Sequence, residues 1–150
     1  GTVGIEEIAD LRRLGLAERI ASQLPSDIVV QLHNNGEALL YPRFGEAVRL
    51  FSRQITNIVT NGKLLMEKAD EIIGNLDTLA VSVFEKDPEV DDQFRLIREF
   101  LEVKGTRKPH TILRVNGEVD VSRYKPLGLV MTRRRVAIMS AKDGVFLRRY

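Results

Sequence analysis

The chain of 150 residues contains no cysteine. Without thiols it can build neither a disulfide framework nor a thiolate zinc site, a composition that suits a reducing compartment. Long apolar runs are missing too. No stretch approaches the ~20 residues that span a bilayer, and no signal-peptide pattern opens the chain. A cytoplasmic protein without membrane contact is the expectation. Histidine occurs only twice, at His33 and His110, in loop-like settings far apart in the sequence. A histidine general acid or a histidine-rich metal site therefore has little to build on.

Enzymatic motifs are equally scarce. From Asp87 to Asp92 carboxylates alternate as they do at the start of a calcium loop, but Asp92 stands where that loop needs glycine and Arg98 where it needs glutamate. That excludes an EF-hand. Gly62-Lys63 is followed by Leu64, with no upstream glycine at phosphate-loop spacing, and no serine sits in a nucleophile-elbow pattern. The expectation is a non-enzymatic protein with no cofactor and no metal. There is no internal repeat and no low-complexity tract.

Charge is present, and it is unevenly placed. Residues 1–100 hold 11 Lys/Arg against 17 Asp/Glu, a net of −6, whereas residues 101–150 hold 12 against 4, a net of +8. The basic third is where a polyanion would bind. A chain polarised in this way can also stack on copies of itself or engage a complementary protein.

The end of that basic third, Gly128 to Tyr150, reads GLVMTRRRVAIMSAKDGVFLRRY. Asp143-Gly144 supplies turn residues, so Val136–Ser140 is expected to fold back on Val145–Tyr150. Alternation puts Val136, Ile138, Val145 and Leu147 on one face, and Arg133, Arg135, Met139, Phe146 and Arg148 on the other. Arginine forks match phosphate oxygens, and aromatics beside them give bases a stacking platform. The alternative use of these arginines is as the solvated side of an edge ribbon, discouraging edge-to-edge pairing. The chain stops after Arg148-Arg149-Tyr150 inside an expected strand, which points to a piece of a longer protein.

Upstream, residues 5–24 show helical spacing around Gly15, giving either one bent helix or an amphipathic helical hairpin. The small residue that would let a helix-turn-helix close is not at its position, which holds Leu11. Ile28-Val29-Val30 and Leu39-Leu40-Tyr41 flank Asn35-Gly36 as a hairpin. Ala47, Val48, Phe51, Ile55, Ile58 and Val59 form an i, i+3, i+4 stripe, which Leu65 to Val83 prolong into a long helical region broken near Gly62 and Gly74. Asp87-Pro88 starts a helix whose stripe Val90, Phe94, Ile97, Leu101 runs to about Lys104. Gly105 to His110 is a basic joint. Beyond it, Ile112–Val115 and Val119–Val121 flank Asn116-Gly117 as a second hairpin.

The resulting expectation is an α+β protein: a predominantly helical N-terminal two-thirds, residues 1–104, packed against a small antiparallel C-terminal β-sheet, the basic β-hairpin region of residues 105–150, together one compact domain. Its expected function is non-enzymatic binding of nucleic acid, RNA or DNA. Arg133, Arg135 and Arg148 would contact phosphates, Arg107 and Lys108 would flank them, and Phe146 and Tyr150 would stack on bases. The alternative is an assembly or adaptor protein making charge-complementary contacts, including with itself as a homo-oligomer.

Overall fold

A computed structural model describes residues 5–32 and 36–134, with side chains from residue 12 onward. Its strands are β1 (Val29–Gln31), β2 (Ile55–Thr60), β3 (Thr78–Phe84), β4 (His110–Asn116) and β5 (Val130–Arg134). They pair in chain order into one five-stranded sheet. Every pairing is parallel: Val30 lies opposite Thr56, Ile58 opposite Leu79, Val81 opposite Leu113, and Val115 opposite Arg133. The expected antiparallel sheet on a helical N-terminus is therefore corrected to an α/β arrangement. Parallel neighbours cannot be joined by a tight turn, so each connection has to cross back over the sheet.

Helix α1 (Ile5–Gln23) precedes β1, and the crossovers carry α2 (Phe44–Leu50), α3 (Ala69–Ile72) and α4 (Val90–Lys104). Short 3-10 turns at Ala38–Leu40 and Ser122–Leu127 complete the connections. Among the described residues no helix is long and apolar enough to cross a membrane.

Helix α4 forms where its local signals place it, although it begins at Val90, two residues after Pro88, and a turn at Asp87–Glu89 leads into it. The Asp87 carboxylate accepts the Glu89 N–H at 2.9 Å, Asp91 and Asp92 sit in the first turn, Lys104 in the last, and Gly105 follows at φ 57°. Helix α1 runs through Gly15 as one element, not as a hairpin. The expected helical stripe from Ala47 to Val59 divides instead into α2, a turn, and β2, whose β-branched run Ile55-Thr56 and Ile58-Val59-Thr60 fits a pleated sheet better than a helix. Likewise Leu79 to Val83 belong to β3. That strand is buried on both faces from Leu79 to Val83 and is apolar there apart from Ser82, which is how central parallel strands look.

Both short-range hairpin signals fail for one reason. After β1 the residues Ala38–Leu40 form a 3-10 turn, and β1 pairs with β2. After β4, Gly117 turns at φ 83°, but the chain continues through the 3-10 turn anchored by the fully buried Tyr124 and returns as β5, parallel to β4. The terminal ribbon of Val136 to Tyr150 lies outside the described residues.

One apolar core holds the layers together. Phe44 and Val48 of α2, Ala69 and Ile72 of α3, Ile97 and Phe100 of α4, and Tyr124 pack on Ile58, Leu79, Val81, Val83, Leu113 and Val115. All six strand residues belong to one face of the sheet, by alternation and register. The other face presents Asn57, Val59, Ala80, Ser82, Phe84, Ile112, Arg114, Asn116, Thr132 and Arg134, and none of these joins the core. Among the described residues the strand order never reverses, and α2, α3 and α4 pack on one face of the sheet, which is the winding of a β/α barrel rather than of a doubly wound fold.

The amino ends of the strands are tied by Asp77. Its carboxylate accepts from the Thr56 N–H at 2.8 Å and from the Thr56 hydroxyl at 3.0 Å, and pairs with Lys108 at 3.1 Å. Partial burial raises its pKa, but the Thr56 and Lys108 bonds outweigh this and hold it below the usual aspartate value of 3.8. A carboxyl depressed in the folded state stabilises above its ordinary pKa, and that stability is lost as pH falls through the folded value. In thermal unfolding across pH 2 to 7, Asp77→Asn should therefore melt lower than the parent at neutral pH, the gap closing as the medium drops below about pH 4. A gap that stays constant down to pH 2 would show that Asp77 does not act through its charge.

Candidate functional site

In a parallel α/β sheet ligands meet the protein at the carboxyl ends of the strands, where the connecting loops converge. Here that edge is a continuous polar network. Glu37, in the loop after β1, reaches the end of β2: its carboxylate accepts from the Thr60 hydroxyl at 2.7 Å, the Asn61 N–H at 2.9 Å and the Leu39 N–H at 3.2 Å. The Thr60 hydroxyl also accepts from the Gly62 N–H at 3.1 Å, and the Asn61 carboxamide accepts from the Lys63 N–H at 2.9 Å. These bonds turn the chain sharply off the strand and present Lys63.

Lys63 then joins the edge to the loop after β3. Its ammonium lies 2.9 Å from Glu89 and 3.3 Å from Asp87. The Glu89 hydrogen bond raises the Lys63 pKa; burial opposes it, and the bond to Asp87 adds to the rise. On the other side of the pair, the Glu89 N–H and then Lys63 hold Asp87 below its ordinary value. Both groups stay charged across the physiological range.

Behind them Gln93 of α4 is 1% exposed, and its amide donates to the Asn61 carbonyl at 2.6 Å and the Ser82 carbonyl at 3.0 Å. Its carbonyl oxygen has no hydrogen-bond partner among the described residues. Gln93 thus locks the ends of β2 and β3 to α4 and keeps one buried acceptor in reserve.

Next to this network, the loops after β3 and β4 enclose a pocket of about 470 Å³. Its walls are Phe84 to Asp87 and Val90 on one side, Glu118 to Asp120, Ser122 and Arg123 on the other. The loops brace each other: the Glu118 N–H donates to Glu85 at 3.2 Å, and Arg123 reaches Asp91 at 2.8 Å while its guanidinium stacks 4.8 Å above the Phe94 ring. Among the described residues, no group of three or more His, Asp and Glu is placed to hold a metal ion.

The basic residues singled out from the sequence are not gathered here. Arg107 donates to the Val103 carbonyl at 2.6 Å, closing the end of α4, and Lys108 pairs with Asp77. Both lie at the amino ends of the strands, a β4 length of about 20 Å from the carboxyl-end site. Arg133 does reach the carboxyl-end edge, where it donates to the Gly117 and Val119 carbonyls at 3.0 and 3.3 Å and bolts the loop after β4 to β5. Arg135, Arg148, Phe146 and Tyr150 lie outside the described residues. The groups that do converge, Glu37, Thr60, Asn61, Lys63, Asp87 and Gln93, leave a trace in the sequence only once β2 and β3 are read as strands, as polar residues and glycines directly after β-branched runs.

No protein-family model matches the chain, and no curated protein matches its sequence. Among solved structures it is similar to archaeal TYW1, with a TM-score of 0.52 at 18% identity, over 95% of this chain and 59% of that one. The chain thus spans about three-fifths of that protein's length. At this identity the likeness shows the fold. TYW1 is an enzyme, and the expectation of a non-enzymatic protein is corrected accordingly: the scaffold is an enzyme-like one. The conclusion the comparison supports is that this chain forms a five-stranded parallel α/β domain of the kind found in archaeal TYW1.

Proposed function

We propose that the chain is the ligand-binding wall of a partial β/α-barrel enzyme, which holds a small polar substrate or cofactor against the helix-free face of its sheet and the carboxyl ends of its strands. The observation that carries this reading is the division of the sheet. Every core residue of β2, β3 and β4 faces the helices, while Asn57, Ser82, Arg114 and Asn116 line the other face and lead to the network at Asn61 and Lys63. Asn57 accepts from the Thr78 hydroxyl at 2.8 Å, and the Asn116 amide donates to the Val83 and Arg114 carbonyls at 3.4 Å, so the polar groups of this face are held in place for a small polar ligand to meet.

Archaeal TYW1 is a radical SAM enzyme, and radical chemistry of that kind is carried by the cofactor while the protein binds and orients. Iron–sulfur clusters are held by cysteine thiolates, and none of the 150 residues is cysteine. The residues present do not fit a cluster. This chain's part in any such reaction is to bind and position.

Amide chemical-shift mapping with a panel of small polar molecules tests the reading. Perturbations should gather at Asn61, Lys63, Glu85 and Asn116, at the carboxyl ends. Shifts confined to Asp77, Arg107 and His110 at the opposite edge, or none at millimolar ligand, would refute it.

Contact with a nucleic acid is a second proposal, supported by the +8 excess of residues 101–150 and by Arg134, exposed at the end of edge strand β5. Anisotropy of labelled single-stranded RNA, with binding that weakens steeply as salt rises, is the expected result, and salt-independent or absent binding ends it.

A further inference from the structure

The helix-free face of the sheet carries charge of one sign. Its strand positions, from Val29 of β1 to Arg134 of β5, include no Asp and no Glu, and its two arginines are Arg114 and Arg134. Register gathers these arginines at the carboxyl end. Phe84, Asn116 and Arg134 lie side by side where β3, β4 and β5 end, and Ser82, Arg114 and Thr132 form the next row on the same face. Neighbouring strands lie about 4.8 Å apart, so the outer row spans about 10 Å, the length of a small organic molecule.

A separate observation is that the two ends of the outer row are not used by the fold. Phe84 is 50% exposed, the largest exposed hydrophobic side chain of the sheet. Arg134 is exposed too, and its guanidinium has no hydrogen-bond or ion-pair partner among the described residues. Arg133, one residue earlier on the opposite face of β5, shows the contrast: it donates to the Gly117 and Val119 carbonyls and lies 3.6 Å from Glu118. Between Phe84 and Arg134, the Asn116 amide nitrogen is bonded to backbone carbonyls, while its side-chain oxygen accepts from no described residue. The carboxylates nearest in sequence are engaged in the loops, Glu85 by the Glu118 N–H and Glu118 by Arg133.

We propose that this face binds a small aromatic anion: its ring lies on Phe84, a central N–H or O–H group donates to the Asn116 side-chain oxygen, and its anionic group meets Arg134, with Arg114 in the row behind. A guanidinium fork holds two anionic oxygens by parallel N–H bonds, and a face without carboxylates sets no repulsion against them. The assignment rests on the ligand-binding wall proposed above and names the class of ligand for that wall.

The test titrates the whole chain with hippurate, a benzoyl ring joined through an amide to a carboxylate, and with its neutral carboxamide, hippuramide, by amide chemical shifts. Hippurate should perturb Phe84, Asn116 and Arg134 and bind about tenfold more tightly than hippuramide. Arg134→Gln should abolish that preference with the melting temperature unchanged, and Arg134→Lys should keep part of it. Acetylglycine, which lacks the ring, should bind about tenfold more weakly than hippurate, and Phe84→Ala should weaken hippurate and hippuramide alike. Equal affinity for hippurate and hippuramide at these residues would overturn the anion assignment and leave the binding wall standing, as would hippurate shifts confined to Arg107 and Lys108 while hippuramide still perturbs Asn116. Shifts neither on this face nor at the carboxyl ends with any probe would remove both.

Discussion

Replacing Glu37 with alanine should lower stability by about 3 kcal/mol, a fall in melting temperature of roughly 6–12 °C for a domain of this size. The carboxylate accepts three hydrogen bonds, from Thr60, Asn61 and Leu39, and two of these link the loop after β1 to the end of β2 across 23 and 24 residues of sequence. Hydrogen bonds to a charged acceptor contribute about 1.5–3 kcal/mol each, and because these three share one side chain their losses do not add fully. Alanine leaves the Asn61 N–H and the buried Thr60 hydroxyl without their acceptor.

Glu37→Gln provides the control. It keeps one carbonyl oxygen but turns an NH₂ group towards one of the former donors, so it should lose about half as much. Differential scanning calorimetry reads both. An alanine variant that melts within 2 °C of the parent would show that the loop is held by its apolar contacts instead, chiefly the buried Leu39. Because Glu37 also fixes the backbone that presents Asn61 and Lys63, the same variant should blunt ligand-induced shifts at those amides.

The second large effect belongs to Gly62, where the chain leaves β2 at φ 78°. A Cβ there would lie 2.8 Å from a Val81 methyl, with Leu65 and Ile97 at 3.5 and 3.6 Å. All three neighbours are fully buried core residues, so none can give way cheaply. The left-handed backbone costs an L-residue about 1–2 kcal/mol, and overpacking adds a further ~1–3. Gly62→Ala should thus destabilise by about 2–5 kcal/mol.

Gly117→Ala is the comparison. Its φ is 83°, but the nearest atom to an added Cβ, at 2.6 Å, is a carboxylate oxygen at the flexible end of Glu85. That variant should lose only about 1–2 kcal/mol, close to the conformational term alone. Equal losses in urea unfolding would mean that Val81 shifts aside and that the core near β3 is less tightly packed than its burial implies.

Taken along the chain, the features legible in the sequence are those governed by neighbours a few residues apart. Helix α4 could be read from Asp87-Pro88, from its acidic first turn and from the stripe Val90, Phe94, Ile97, Leu101, because capping and amphipathic spacing are local physics. The absence of cysteine, the polarity of the chain and the turn at Gly117 were legible on the same ground.

What the sequence left undecided was how the apolar runs combine. Ile55 to Val59 and Leu79 to Val83 satisfy a helical spacing as well as a strand, and only the sheet, by burying β3 on both faces, selects the strand. The pairing of β1 with β2, of β2 with β3 and of β3 with β4 joins residues more than 20 positions apart, and no turn signal encodes a parallel crossover. The site follows the same rule. Glu37, Asn61, Lys63, Asp87 and Gln93 carry no shared motif, and they meet because parallel strands bring every carboxyl end to one edge. Arg107 and Lys108, close to Arg133 in charge and in sequence region, end at the other edge, because the length of β4 separates them.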